Sequence, residues 1–156
     1  ALALERLEKL HRSFPGDVMT KWCYGLSLAY RDRKEEAGPV FDEVAREQPG
    51  TLFACMGLAF KYALEGKRSE TLAMLDSNPH SEKPWDFQTA YWKTECLALI
   101  GEKEMALDCL ELDVNLGMSN YPLMSELDPF LADIRGEPRF QKLMERVKYE
   151  WEYLEV

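Results

Sequence analysis

The feature that most constrains the fold of this chain is an internal repeat with a period of about 34 residues. A Pro-Gly dipeptide at positions 15–16 recurs at positions 49–50. Helix-breaking residues follow the same period, at intervals of 34 and 35 residues: Asp32, Gly66 and Gly101. A period of this length is typical of proteins built from stacked helical units, because one unit alone cannot bury its apolar face.

The apolar residues that follow each breaker keep the same phase. A small side chain comes first in each unit, at Ala37, Thr71 and Ala106. A large apolar side chain follows four residues later, at Phe41, Leu75 and Leu110. This agreement between independent series predicts that each unit is a pair of helices, one before the breaker and one after it.

The local patterns also predict helices. Segments 18–30 and 52–65 are apolar on all sides, which indicates helices buried on several faces. Segment 33–50 carries one apolar stripe, and Pro39 lies in its first turns, where a missing N–H costs little. No segment shows the alternating pattern of a strand, so the predicted class is all-α.

These residues resemble the tetratricopeptide repeat. That pattern has a glycine in the first helix, a glycine between the helices, an alanine and a large apolar residue in the second helix, and a closing proline. The matching residues are Gly25, Ala37, Phe41 and Pro49, then Gly57, Gly66 and Leu75, then Gly101, Ala106 and Leu110. The resemblance implies a right-handed α-solenoid, with a half repeat at 1–16 and full repeats at about 17–50, 51–84 and 85–117.

The second unit departs from this pattern. Its glycine and its breaker are nine residues apart, against seven in the first unit, which predicts a first helix about half a turn longer. Pro79 comes about one turn early, so the second helix of this unit is predicted to be short. A polar loop is expected over residues 77–86, with a kink or offset of the stack there.

The segment 118–156 is predicted to form a short helix and a long capping helix. Acid–proline pairs at 128–129 and 137–138 have the composition of helix starts. Gly136 is expected to end the short helix in the left-handed conformation. The last helix is predicted to cover the apolar end of the solenoid with a stripe of six residues: Phe140, Leu143, Met144, Val147, Trp151 and Leu154.

The junction between the short helix and the last helix, which we call the hinge, contains two arginines that raise the question of an anion site: Arg135 and Arg139. The acid–proline pairs around them are typical of helix starts, which favours a hinge between two helices over an anion site. We expect the two guanidinium groups to pair with nearby acids or to face water. The acids in question are Asp128, Asp133 and Glu137.

The sequence of the C-terminal segment shows a second, narrower resemblance. The stretches "NYP", "DPFL", "RGEPRF" and "ERVKYEWEYLEV" are similar to the C-terminal tetratricopeptide regions of bacterial signalling proteins. In those proteins the region follows serine/threonine kinase, nucleotide-cyclase or winged-helix modules. The resemblance implies a non-catalytic interaction or sensory module. Because the sequence begins in mid-pattern without Met, we expect it to be a piece of a longer chain.

Composition argues against several classes of function. The net charge of −9 disfavours nucleic acid and anionic membranes as partners, and no run approaches the about 20 apolar residues of a membrane helix. Four scattered cysteines without a CxxC pair favour buried thiols in the cytoplasm. The two histidines, His11 and His80, lie far apart. We therefore predict no catalytic residues, no metal and no cofactor.

The predicted binding surface is the concave face, which the first helices of the repeats line. Residues one helical turn apart share a face, and the candidates are Trp22, Leu26, Tyr30, Leu58, Lys61, Tyr62, Gln88, Tyr91 and Glu95. Such an aromatic face suits a protein or peptide partner with apolar anchors. Two alternatives remain open: the aromatic residues belong to the core or lie under the tail, or the module forms a homodimer through its aromatic C-terminal helix.

Overall fold

The computed structural model describes residues 2–79 and 87–153, and in these ranges it contains helices and turns but no strand. The predicted all-α class is therefore confirmed. The eight α-helices of the described ranges are α1 (Leu2–Ser13), α2 (Val18–Ala29), α3 (Lys34–Glu47), α4 (Leu52–Leu64), α5 (Arg68–Ser77), α6 (Phe87–Leu99), α7 (Lys103–Asn115) and α8 (Pro138–Glu152).

The chain divides into two compact units, Ala1–Ser81 and Glu82–Val156. In the first unit each of α1 to α4 packs on the next helix, and α2 also contacts α4. In the second unit α6 packs on α7 and α7 packs on α8. The division falls within the predicted polar loop, of which residues 80–86 lie outside the described residues. The C-terminal segment from residue 118 shares its unit with α6 and α7.

The same turn ends α2, α4 and α6. Each helix is followed by a residue in the left-handed conformation, with φ of 57° at Asp32, 70° at Gly66 and 77° at Gly101. The next amide donates to a carbonyl five residues back, in the pattern of a Schellman motif. The three bonds are Arg33 to Leu28 at 3.1 Å, Lys67 to Tyr62 at 2.9 Å and Glu102 to Leu97 at 2.9 Å. The periodic breakers of the sequence are thus the end residues of a repeated turn, as predicted.

The core of the first unit is built around Phe41 of α3, which is fully buried. Its ring lies against two glycines from different helices. A methyl carbon at Gly25 of α2 would lie 2.9 Å from Cε1 of Phe41, and one at Gly57 of α4 would lie 3.1 Å from Cδ1. The ring of Phe60 lies 6.3 Å from that of Phe41. The two glycines therefore allow α2 and α4 to approach the same aromatic ring.

The second repeat corrects one expectation and confirms another. Helix α4 has 13 residues and α2 has 12, so the predicted extra half turn is absent. The longer spacing arises because Gly57 lies two positions earlier in its repeat than Gly25, where it faces Phe41. The short second helix is confirmed, since α5 has 10 residues and α3 has 14.

The segment before α8 is less regular than predicted. The expected short helix is a single 3-10 turn, Pro129–Leu131, and a π-helical turn that was not predicted, Leu123–Leu127, precedes it. Asp128 caps the 3-10 turn as expected, because its Oδ1 accepts a hydrogen bond from the amide of Phe130 at 2.8 Å. Three large side chains of this short segment are buried, which favours tight turns over a continuous helix: Phe130, Leu131 and Ile134.

The expectation for Gly136 is wrong. Its φ is not among the positive values found in the described residues, and the space around it is open. The turn is closed instead by a hydrogen bond from the amide of Glu137 to the carbonyl of Ile134, at 3.0 Å. Because this turn needs no left-handed residue, replacing Gly136 with valine is not expected to disturb the packing of α8.

Candidate partner-binding surface

Three of the predicted surface residues are core residues. Trp22 is 1% exposed, Tyr91 4% and Glu95 0%. The indole of Trp22 packs against the rings of Phe53, at 5.7 Å, and Phe60, at 6.3 Å. The interpretation of the aromatic residues as core, left open above, therefore holds for Trp22 and Tyr91. These side chains stabilise their units from within and present no surface to a partner.

The remaining candidates keep part of their surface. Gln88 is exposed near the start of α6 in the second unit. Five half-exposed side chains lie in the first unit, on the contacting helices α2 and α4. We call this set the α2–α4 surface, and its members are Leu26, Tyr30, Leu58, Lys61 and Tyr62. On each helix the leucine and the tyrosine are four residues apart and share one face.

Positive charge borders the aromatic part of this surface. The ammonium groups of Lys61 and Lys67 lie 5.8 and 5.6 Å from the centre of the Tyr62 ring. Lys61 is held by both carboxylate oxygens of Asp42 on α3, each at 2.7 Å. Lys67 pairs with Glu65 at 2.7 Å. The α2–α4 surface therefore combines apolar and aromatic groups with an edge of two oriented lysine–carboxylate ion pairs.

A buried lysine of α2 was missed by sequence reasoning. Lys21 is 1% exposed, and its ammonium donates to Glu43 at 2.7 Å and to Glu47 at 2.6 Å on α3. Burial lowers the pKa of Lys21, but the two carboxylates outweigh burial, so the pKa is raised overall. The signal in the sequence was the pair of glutamates one turn apart on the following helix. The cluster joins α2 to α3 and stabilises the scaffold of the surface.

A polar cluster in the interior of the second unit was also missed. The Tyr91 hydroxyl donates to Oδ2 of Asp128 at 2.7 Å, and the Thr94 hydroxyl donates to Oδ2 of Asp113 at 2.8 Å. Glu95, Asp113 and Asp128 are all fully buried. Burial raises the pKa of Asp113 to about 8. Burial and the neighbouring carboxylates also raise the pKa of Tyr91 above its usual value. This cluster joins α6 to α7 and to the 3-10 turn.

The two arginines of the hinge have structural partners. Arg135 donates to the main-chain oxygen of Asp128. Arg139 pairs with none of the acids expected for it, and instead contacts three carboxylates of α7: Glu111 at 2.8 Å, Asp108 at 2.7 Å and Glu104 at 3.3 Å. Its position in the first turn of α8 places it against α7. Arg139 therefore stabilises the packing of α8 on α7.

The apolar stripe of α8 divides into two parts. Its first four members, Phe140, Leu143, Met144 and Val147, are buried, as expected of a helix that packs on the rest of its unit. Trp151 is 48% exposed, and Leu154 lies outside the described residues. Tyr149 and Tyr153 are 66% exposed, and their rings lie 4.8 Å apart. The end of α8 thus presents aromatic groups to solvent.

Cysteine and histidine side chains form no metal centre in the part of the chain that the structure describes. Within residues 2–79 and 87–153, no group of three or more His, Cys, Asp or Glu is placed to hold a metal ion. The four thiols are free, and Cys55 and Cys96 are buried. His11 stacks on Tyr24 at 5.2 Å, and His80 lies outside the described residues.

None of the described helices is both long enough and apolar enough to cross a membrane. Comparisons with protein-family models, curated proteins and solved structures found no match to this chain.

Proposed function

We propose that this chain is a non-catalytic protein-interaction or sensory module of a larger bacterial signalling protein. In this proposal its helix pairs stack as a right-handed tetratricopeptide-like solenoid, closed by α8. The turn that recurs after α2, α4 and α6 supports the repeat. The packing of Phe41 against Gly25 and Gly57 also supports it, because these residues, which carry the resemblance in sequence, contact one another in the structure.

The α2–α4 surface is the part of the module that we propose binds a partner segment. The observation that carries this proposal is the set of half-exposed leucines and tyrosines on two contacting helices, bordered by Lys61 and Lys67. Side chains on packed helices are already oriented, so binding loses little conformational entropy. The chemistry suits a peptide with an aromatic or leucine anchor and an adjacent acidic residue.

A peptide library with one apolar anchor and one acidic residue is the direct probe of this surface. Peptides selected on the wild-type chain should bind Tyr62→Ala at least about tenfold more weakly, since central aromatic contacts contribute about 2 kcal/mol or more. Fluorescence polarisation measures the affinity. Tyr149→Ala removes an exposed tyrosine of the second unit and should leave binding unchanged. Equal affinity of the wild type and a folded Tyr62→Ala would contradict the proposal.

Self-association through the end of α8 is a second candidate. The observation that favours it is the exposure of three aromatic side chains: Tyr149, Trp151 and Tyr153. A homodimer formed there would bring attached catalytic domains together. Light scattering across a concentration series should then show a dimer that Trp151→Glu abolishes and Tyr30→Glu does not. A wild-type chain that stays monomeric at about 1 mM, where even a weak dimer would form, would exclude this function.

A further inference from the structure

Helices α7 and α8 border an open cleft of about 360 Å³ in the second unit. Its volume lies in the range of small-ligand sites. Leu143 is buried beneath it, and the other lining side chains are polar or charged. The complete lining is Glu111, Asn115, Arg139, Lys142, Leu143 and Arg146.

The cleft is basic although the chain is acidic. Three of its six lining residues are cations, in a chain whose net charge is −9. They lie at spacings of three and four residues, so they share one face of α8: Arg139, Lys142 and Arg146. The one lining acid, Glu111, accepts a hydrogen bond from Arg139 at 2.8 Å, which lowers the pKa of its carboxyl group. Arg146 pairs with Glu150 just outside the lining, so among the described residues Lys142 is the cation of the lining that has no acid partner.

Contacts with neighbouring side chains account for the positions of Arg139 and Arg146, but not for that of Lys142 between them. Arg139 contacts three acids of α7, and Arg146 donates to Asn115 at 2.9 Å and to Glu150 at 2.8 Å. Among the described residues Lys142 has no hydrogen bond or ion pair, and it acts on Glu111 only through its charge. Like charges one turn apart on both sides destabilise a helix. An anion in the cleft would remove this repulsion.

The donors around Lys142 define the ligand class. Its ammonium offers three N–H groups, Nη2 of Arg146 has no partner among the described residues, and Asn115 adds a neutral amide N–H₂. A set of N–H donors that includes one ammonium without an acid partner suits an oxygen-rich anion, and guanidinium geometry suits phosphate. We propose that the α7–α8 cleft binds a phosphate-type anion through Lys142 and Arg146, with Asn115 as a neutral donor.

Titration with inorganic phosphate at pH 7.5 and constant ionic strength, followed by amide NMR shifts, tests the site. We expect saturable shifts centred on residues 139–146 with a Kd on the order of 1 mM, as a few solvent-exposed charged contacts provide. Binding should weaken at pH 5, because phosphate is then a monoanion. Glycerol phosphate and a phosphoserine peptide then distinguish the two sources of this chemistry, according to which of them binds more tightly.

Two variants distinguish a specific phosphate site from nonspecific electrostatic attraction of phosphate to α8. Lys142→Gln, at an exposed position, should raise the Kd at least about fivefold, and Arg146→Gln should do the same. Lys148→Gln makes the same charge change on α8, where the lysine instead pairs with Glu152 at 3.9 Å, and should bind like the wild type. Non-saturable shifts, or equal losses in Lys142→Gln and Lys148→Gln, would overturn the proposal.

Discussion

Gly25→Ala is expected to lower the free energy of unfolding by about 1–3 kcal/mol, the usual cost of an overpacked core. The new methyl carbon would lie 2.9 Å from Cε1 of Phe41 and 3.1 Å from Cγ1 of Val40. The Phe41 ring is fully buried and cannot move freely, because Gly57 of α4 also packs closely against it. Alanine's better helix propensity, about 1 kcal/mol, offsets only part of this cost.

Urea unfolding followed by circular dichroism measures the effect of Gly25→Ala. Gly16→Ala is the matched control, since nothing lies within 4 Å of Gly16 and its φ is not positive, so its stability should stay within about 0.5 kcal/mol of the wild type. Phe41→Leu should cost less in the Gly25→Ala background than alone, because a smaller side chain relieves the clash. A Gly25→Ala chain as stable as the wild type would show that α2 does not approach Phe41 this closely.

The same contact shows how far the sequence determines the fold. The breakers at residues 32, 66 and 101 were predictable because a left-handed turn residue is a local requirement that glycine and aspartate meet. The role of Gly57 was not predictable from its spacing. Its position is explained by its contact with the Phe41 ring on another helix. Local periodicity does not show which residues of different helices contact each other.

The sequence likewise predicts the candidate surface only in part. Helical spacing predicted that Leu26 and Tyr30 share one stripe with Trp22, but the structure buries Trp22 and leaves the other two half exposed. A helix that is apolar on all sides does not reveal which side its neighbours cover. The irregular segment before α8 was missed for a related reason, since single π and 3-10 turns have no period that could be detected.

Asp113→Asn is expected to make the chain more stable than the wild type, by an amount that grows between about pH 4 and pH 8. Burial raises the pKa of Asp113 from 3.8 to about 8. In this window the unfolded chain releases the proton while the folded chain keeps it, so wild-type stability falls as pH rises and levels off above the folded pKa. The slope from one such group is at most about 1.4 kcal/mol per pH unit.

The asparagine variant separates charge from packing. Its amide oxygen can still accept the hydrogen bond that Thr94 donates to Asp113, but it carries no proton to release. The other buried groups of the cluster, Tyr91, Glu95 and Asp128, are present in both chains, so the difference between their pH profiles isolates Asp113. Urea unfolding at several pH values should show nearly equal stabilities at pH 4 and a gain of a few kcal/mol at pH 8.

Asp108→Asn on the same helix is the control for a change of charge at α7. Its carboxylate is exposed and paired with Arg139 at 2.7 Å, so its replacement should not reproduce a gain that grows up to pH 8. Parallel pH profiles of the free energy of unfolding for the wild type and Asp113→Asn would mean that ionisation of Asp113 does not destabilise the folded chain. A divergence confined to Asp113→Asn would instead show that an acid at this position lowers the stability of the second unit at neutral pH. Among residues 2–79 and 87–153 only burial and the hydrogen bond from Thr94 shift its pKa, and no cation compensates its charge.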